Sequence, residues 1–506
     1  MPGNYFKTKP LSLLLEEMKG ENRLRRILGP IHLTSLGVGA IIGAGIFVAT
    51  GAAAHNVAGP ALMLSYAFAG ITCVFAALCY AEFASMVPVA GSAYTYSYAT
   101  MGELFAWIIG WDLVLEYGVA SATVAHGWSH YFQKFLEVLK DKPNVWPDKL
   151  GNAPFDYNSV SGDFFSTHAT VDLPAIIIAL VITVLLVKGI KESASFNAVM
   201  VAIKVSIVLL VLAVGMFYVN PANWHPFAPN GLGGIKIFGH TIGQQTPSGD
   251  PVGMMAAAAI IFFAYIGFDA VSTQAEEARN PQRDVPIGII ASLLICTVLY
   301  IAVAAVLTGM VPAAAIDLDA PVASAFMSVG QKWAQFVIAL GALAGITSVL
   351  LVMMLSQPRI FLAMARDGLL PPRFFGDIHP KFRTPWKSTI LTGLFVATLG
   401  GLLPLNILAD LVNIGTLLAF AMVCGAVLIM RKTNPTAERP FKAPFFPFVP
   451  IAGMVMSLLL MLSLPAQNWL RLFVWLAIGF AIYFAYGRRH SVLEKLRQGG
   501  GLKGEK

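Results

Sequence analysis

Charge is scarce in this chain. Asp, Glu, Lys and Arg make up 12% of its 506 residues, against roughly 25% in soluble domains. Hydrophobic residues make up 57%, and the mean hydropathy is +0.71. That balance excludes an ordinary soluble domain, because apolar surface on this scale has to be solvated by lipid. Cysteine is scarce as well: Cys73, Cys79, Cys296 and Cys424 each lie inside an apolar run, so packing accounts for them and no disulfide framework is suggested. No Cys/His metal site is suggested either, and the His-rich cluster or the nucleophile with a base that an intramembrane enzyme would need does not appear. A net charge of +7 would suit nucleic acid only if the basic residues shared one soluble face. They fall instead in short stretches between apolar runs, where they act as topology signals.

What is present is a series of twelve apolar runs. About 20 residues at 1.5 Å each cross the hydrocarbon core, and runs of that order lie near 31–57, 61–87, 103–131, 172–190, 194–219, 252–276, 286–311, 334–364, 387–404, 406–430, 446–464 and 469–487. The fold expected is an all-α polytopic membrane protein of twelve transmembrane helices, its partner surface the lipid bilayer. A polar lead (1–30) carries Lys7, Lys9, Glu16, Glu17 and Arg23 to Arg26, and the first run is too long for a cleaved signal peptide. With that lead placed inside, 26 of the 34 Lys and Arg residues fall on the cytoplasmic side. Both termini are therefore expected in the cytoplasm of a cell-membrane protein, with 488–506 as the tail. The longest external excursions are Tyr131 to Val171 and Asn220 to Pro251.

Two of the runs are interrupted. In the first, Ile41-Ile-Gly-Ala-Gly-Ile-Phe47 sets two glycines in the middle of a span; in the sixth, Ile260-Ile-Phe-Phe-Ala-Tyr-Ile-Gly-Phe-Asp269 does the same with one. Unpaired backbone is tolerated in a membrane only where it faces protein or a wet cavity. The two runs enter the membrane from opposite sides, and such paired breaks are the best sequence pointer to a transporter site at the midplane. Half-helix N-termini offer N–H groups to a carboxylate, and unwound carbonyls receive an ammonium. Glycines that merely let helices pack closely are the alternative, and it weakens when two breaks occur in register. The organisation expected is a first repeat over 31–219, an external loop over 220–251, a second repeat over 252–430 and two further helices within 431–487.

Charged residues inside the spans are functional by default. Lys204 lies about ten residues into the fifth span, roughly 15 Å from either end at 1.5 Å per residue, too deep to snorkel to water. An amine held there can gain and lose a proton within a transport cycle, unless it is simply paired with a carboxylate. Glu116 is midway along the third span, one turn from Asp112. It is expected to help bind a substrate ammonium or to share the proton with Lys204, with a packing carboxylate as the alternative. Asp112, beside Trp107 and Trp111, reads as an interfacial anchor, Glu82 as a hydrogen-bonded residue or gate, Asp269 as a cap for the second half of the sixth span, and His126 and His130 as bland.

The residues resemble the amino acid–polyamine–organocation superfamily, and within it the cationic amino acid transporter branch. The resemblance rests on the Ile41 to Phe47 break, Tyr80-Ala-Glu-Phe-Ala-Ser-Met-Val-Pro88, Gly91-Ser-Ala-Tyr-Thr-Tyr-Ser-Tyr98, Leu115-Glu-Tyr117, Phe262 to Ser272 with Asn280-Pro-Gln-Arg-Asp-Val-Pro286, and Arg366-Asp-Gly-Leu-Leu-Pro371. It implies a five-plus-five inverted-repeat core with discontinuous helices 1 and 6, two extra C-terminal helices, and secondary transport of amino acids by alternating access. By the same likeness, the carboxylate would meet the N–H groups of Ala44 and Gly45, with Gly43 allowing the approach, and the ammonium would meet carbonyls of Ile41, Phe263, Ala264 and Ile266. Phe263 resembles an aromatic gate, and Ala44 departs from the Thr or Ser common at its position. Lys204 resembles a lysine that stands where sodium-coupled relatives hold an ion, which makes H⁺ the expected coupling ion and requires no further cofactor. On the eighth span, Thr347 and Ser348 would line that ion-equivalent position, and Met353 would floor the side-chain pocket, favouring small neutral substrates such as alanine over cationic ones. Exchange, Na⁺ coupling and a membrane sensor of amino acids are the alternatives; a small membrane-protein partner stays open.

Overall fold

The computed structural model describes residues 8–10, 13 and 26–498, apart from 44, 90, 141, 143–144, 158–163, 238–239, 246–250, 319 and 465. All twelve apolar runs are helical among the described residues. The first comprises Pro30–Ile41 followed by short helical pieces from Gly45 to Ala58, and the second is Leu62–Met86. The third begins as Glu103–Leu113, widens by a π-type turn over Val114–Val119 and continues as Ala120–Lys140. Then come Leu173–Lys188, Ile190–Gly215, the broken sixth span that opens with Met254–Ile261, Pro281–Met310, Lys332–Arg366, Trp386–Leu402, Leu405–Thr433, Phe448–Leu462 and Ala466–Ile482. Eight helical stretches are individually long and apolar enough to cross a membrane, and shorter apolar helices add to them. The excursions between the third and fourth and between the fifth and sixth spans each carry a small hairpin, Phe155–Tyr157 with Phe164–Ser166 and Ile235–Ile237 with His240–Ile242.

Local sequence accounts for the ends. Pro30 and Pro281 occupy the first helical turn, where a missing N–H costs nothing. Asp172 caps the fourth span by accepting from the Ala175 N–H at 3.1 Å. Spans 1, 2, 6 and 7 pack on one another, and span 8 packs between spans 3 and 5. Two broken helices thus meet at the centre. Close approach is set by small residues: a Cβ on Gly45 would lie 2.3 Å from the Ala264 Cα, so only glycine lets the two breaks touch.

The face expected inside is held by buried ion pairs. Arg359 Nη2 meets Glu277 Oε1 at 2.6 Å with both side chains about 2% exposed, and Glu82 is gripped by Arg431 at 2.5 Å and Arg439 at 3.4 Å. Glu82 therefore ties the end of span 2 to span 10 and the loop beyond it. Arg359 is buried within the eighth helix. Lys9 of the polar lead is also buried, paired with Asp367 at 2.5 Å.

Candidate functional site

Helix is lost in the first span because Ile42 adopts extended backbone (φ −74°, ψ 105°) directly after Ile41. In the sixth, Phe262–Tyr265 forms a single tight turn, Ile266 is extended (φ −59°, ψ 132°), and Gly267 takes φ +121°. That φ suits glycine, and a Cβ there would also strike Ala40 at 2.7 Å and the Met353 Cε at 2.8 Å. Between the breaks lies a small cavity of about 20 Å³ lined by Ala40, Ile41, Gly43, Gly45, Ala120, Val124, Phe263, Ile266, Val349 and Met353. This volume has room for little more than one water.

Six of the expected site residues, Ile41, Gly43, Gly45, Phe263, Ile266 and Met353, come together in that lining. Ala44 falls outside the described residues. The Ala264 side chain packs against Gly45, and its carbonyl accepts from the Tyr300 hydroxyl at 3.0 Å, the same hydroxyl that donates to Ile41 O at 2.7 Å. Tyr300, on the seventh span, thus bridges the two breaks, and each carbonyl keeps one further lone pair. The sequence offered no signal for this tyrosine, which sits in an unremarkable apolar run. Ala120 and Val124, four and eight residues beyond Glu116 on the third span, also line the cavity.

Lys204 is fully buried, and no carboxylate is paired with it among the described residues. Its Nζ donates to Gly39 O at 2.8 Å, Ile42 O at 2.8 Å and Ser348 Oγ at 2.9 Å. Ser348 in turn donates to Gly39 O at 2.8 Å. Three oxygens from spans 1 and 8 converge on one ammonium from span 5. Thr347 is not part of this cluster; it donates to Leu343 O and accepts from Trp128.

Glu116 departs from expectation. It is fully buried in the π-type turn but lines neither the cavity nor the Lys204 cluster, and its carboxylate faces Asp269 and Thr416 at the margin of hydrogen-bond reach. The wider turn rotates Glu116 away from the face that Ala120 and Val124 present. Asp269 does not cap its half-helix: its Oδ2 accepts from the Tyr117 hydroxyl, tying span 6 to span 3. Asp112 is not interfacial either, being fully buried beside Gly415, while Trp107 and Trp111 donate to Gly479 O and Trp475 O of the last span at 2.9 Å each. The Tyr131 hydroxyl donates to Phe47 O at 2.7 Å, tying span 3 to the broken first span. Thr273 meets Ser356 at 3.2 Å, and the Glu277–Arg359 pair joins the same two spans, 6 and 8.

A profile of the amino acid permease family matches residues 28–485. The chain belongs to the amino acid permease family. Relatives span the permease end to end. A branched-chain amino acid permease (BcaP) of Bacillus subtilis is 46% identical over 98% of this chain and 100% of its own length. The methylthioribose transporter of the same organism is 45% identical over 97% and 99%. A vacuolar cationic amino acid transporter of Arabidopsis thaliana is 41% identical over 82% of this chain and 61% of its own. These are transporters, not enzymes, and the permease is a polytopic helical membrane protein of their superfamily.

Proposed function

We propose that the permease carries small neutral L-amino acids, alanine-like in size, by alternating access, driven by inward movement of H⁺. The observation that carries the substrate reading is the lining of the central cavity. Among the described residues, the lining beside the two breaks holds only alanine, valine, isoleucine, phenylalanine and methionine side chains, so an unpaired cationic side chain would be desolvated there without a counter-charge. The 46% identical branched-chain permease supports an uncharged aliphatic substrate. Backbone recognition uses the breaks: N–H groups of Ala44 and Gly45 for the carboxylate, and the remaining lone pairs of Ile41 O, Phe263 O, Ala264 O and Ile266 O for the ammonium.

Proton coupling rests on the arithmetic at Lys204. An ammonium has three donors and meets three acceptors; a neutral amine has two. Loss of the proton therefore removes one of the three contacts that Lys204 makes to spans 1 and 8, which links protonation to the fit of the broken helix against the scaffold. Glu116 supplies a second protonatable group: it faces Asp269, and two facing carboxyl groups join by a hydrogen bond only when one bears the proton. Glu116 acts from behind the pocket on this reading, without touching the substrate. The protein resides in the cell membrane with both termini in the cytoplasm. Uptake of labelled alanine into proteoliposomes, competed by unlabelled amino acids, tests the substrate assignment. Competition by valine and serine but not arginine is expected, and competition by arginine alone contradicts it.

A further inference from the structure

His126 and His130 stand one turn apart on the third span, a spacing that places two imidazoles on one helical face, as in helical metal sites. Their rings lie 4.7 Å apart, centroid to centroid. Asp172 joins them from the far side of the 131–171 excursion. Donor atoms of the three residues all lie within 4.8 Å of one another, and a His126 ring nitrogen is 3.0 Å from Asp172 Oδ2. That separation matches two neighbouring ligands on one ion at about 2.0–2.1 Å each.

The surroundings are those of a built site. Asp172 is fully buried and rigidly placed: its Oδ1 accepts from the Ala175 N–H as the cap of the fourth span, and its own N–H donates to Gly401 O at 3.0 Å. Oδ2 has no hydrogen bond of good geometry, although the residue is sealed from solvent, which leaves a carboxylate lone pair directed at the imidazoles. His126 is 2% exposed, and its Nδ1 also lies 3.2 Å from Gly400 O, which only accepts, so that nitrogen carries a proton that a bound ion displaces. His130 is exposed and borders an open cavity of about 400 Å³ that Gln133, Lys134, Asp148 and Asn152 also line. A hydrated ion can enter by that cavity, and a turn of the exposed imidazole brings the third donor into range. A polar cavity beyond His130 leaves room for a water as the fourth ligand.

We infer that His126, His130 and Asp172 bind a divalent transition-metal ion of the zinc class at the face carrying the 131–171 excursion. Two imidazoles and one carboxylate suit zinc and its neighbours, whereas calcium and magnesium call for an all-oxygen shell. The ion would join the end of span 3 to the start of span 4, one residue from Tyr131, whose hydroxyl holds Phe47 O of the broken first span.

The test uses purified full-length protein with its affinity tag removed, titrated with ZnCl₂ by calorimetry, and with CoCl₂ followed by visible absorption. One Zn²⁺ per chain and a Co²⁺ spectrum of tetrahedral intensity are expected. His130→Ala is expected to weaken Zn²⁺ binding by at least about tenfold with its thermal melt unchanged, and Asp172→Asn to do the same with its cap hydrogen bond retained. Should Asp172→Asn melt early, His130→Ala decides alone. Unchanged Zn²⁺ binding in His130→Ala, the absence of saturable binding in the parent protein, or equal binding of Mg²⁺ overturns the inference.

Discussion

Replacing Lys204 by Met keeps the length of the side chain and removes all three donors. Gly39 O retains the Ser348 hydroxyl at 2.8 Å, whereas Ile42 O loses the donor that stood 2.8 Å away. A buried carbonyl left without a partner costs about 1–3 kcal/mol, which weakens the closed arrangement of span 1 on spans 5 and 8 about 5- to 150-fold against forms in which that carbonyl reaches water. Beyond this static effect, the variant has no group at this position to take up and release a proton. A gradient of about one pH unit can support about tenfold accumulation at one proton per substrate. In proteoliposomes with acid outside, the parent protein is expected to accumulate labelled alanine towards that limit. Lys204→Met is expected to equilibrate alanine and exchange it across the membrane without accumulating it. If Lys204→Met accumulates alanine as the parent does, the role given to Lys204 is wrong.

Further predictions concern the breaks and their supports. Gly45→Ala places a Cβ 2.3 Å from the Ala264 Cα, and overpacking of this kind costs about 1–3 kcal/mol; transport is expected to fall at least tenfold with the protein still folded, as measured by uptake beside a thermal melt. Tyr300→Phe removes the bridge between Ile41 O and Ala264 O and leaves two carbonyls to be served by substrate or water alone; a rise in KM is expected, and unchanged kinetics would remove Tyr300 from the site. Met353→Ser opens the floor of the cavity, so longer side chains, arginine included, are expected to compete for uptake; unchanged competition would count against the floor assignment. Arg359→Ala strands the buried Glu277 carboxylate 2.6 Å from its lost partner, a loss of about 3–5 kcal/mol, seen as a lower melting temperature that Arg359→Lys partly restores.

Much of this architecture was legible because the membrane restricts it. Twelve apolar runs could only be helices, and glycines within two of them marked where helix fails, since exposed backbone in lipid has no other outlet. The resemblance then directed attention to Ile41, Gly43, Phe263, Ile266 and Met353, which share one cavity wall in the structure. What escaped was side-chain direction. Glu116 was placed by its depth and by the resemblance at Leu115-Glu-Tyr117, and the π-type turn at Val114–Val119, which no residue pattern announces, turns it from the pocket to Asp269. Asp112 next to two tryptophans looks interfacial in sequence, yet those rings serve the last span, and nothing local shows that another helix covers them. Tyr300 and Arg359 became visible only once distant spans were brought together. The same holds for Asp172, which a long excursion separates in sequence from the two histidines it joins.

On the function proposed above, substrate movement is tied to protons and not to sodium. The most direct test is uptake of labelled L-alanine into proteoliposomes under an imposed pH gradient, acid outside, in matched buffers with Na⁺ or with choline in its place. Accumulation that follows the pH gradient, collapses with a protonophore and is equal in both buffers is the predicted result. Uptake that requires Na⁺ and ignores the pH gradient would contradict it.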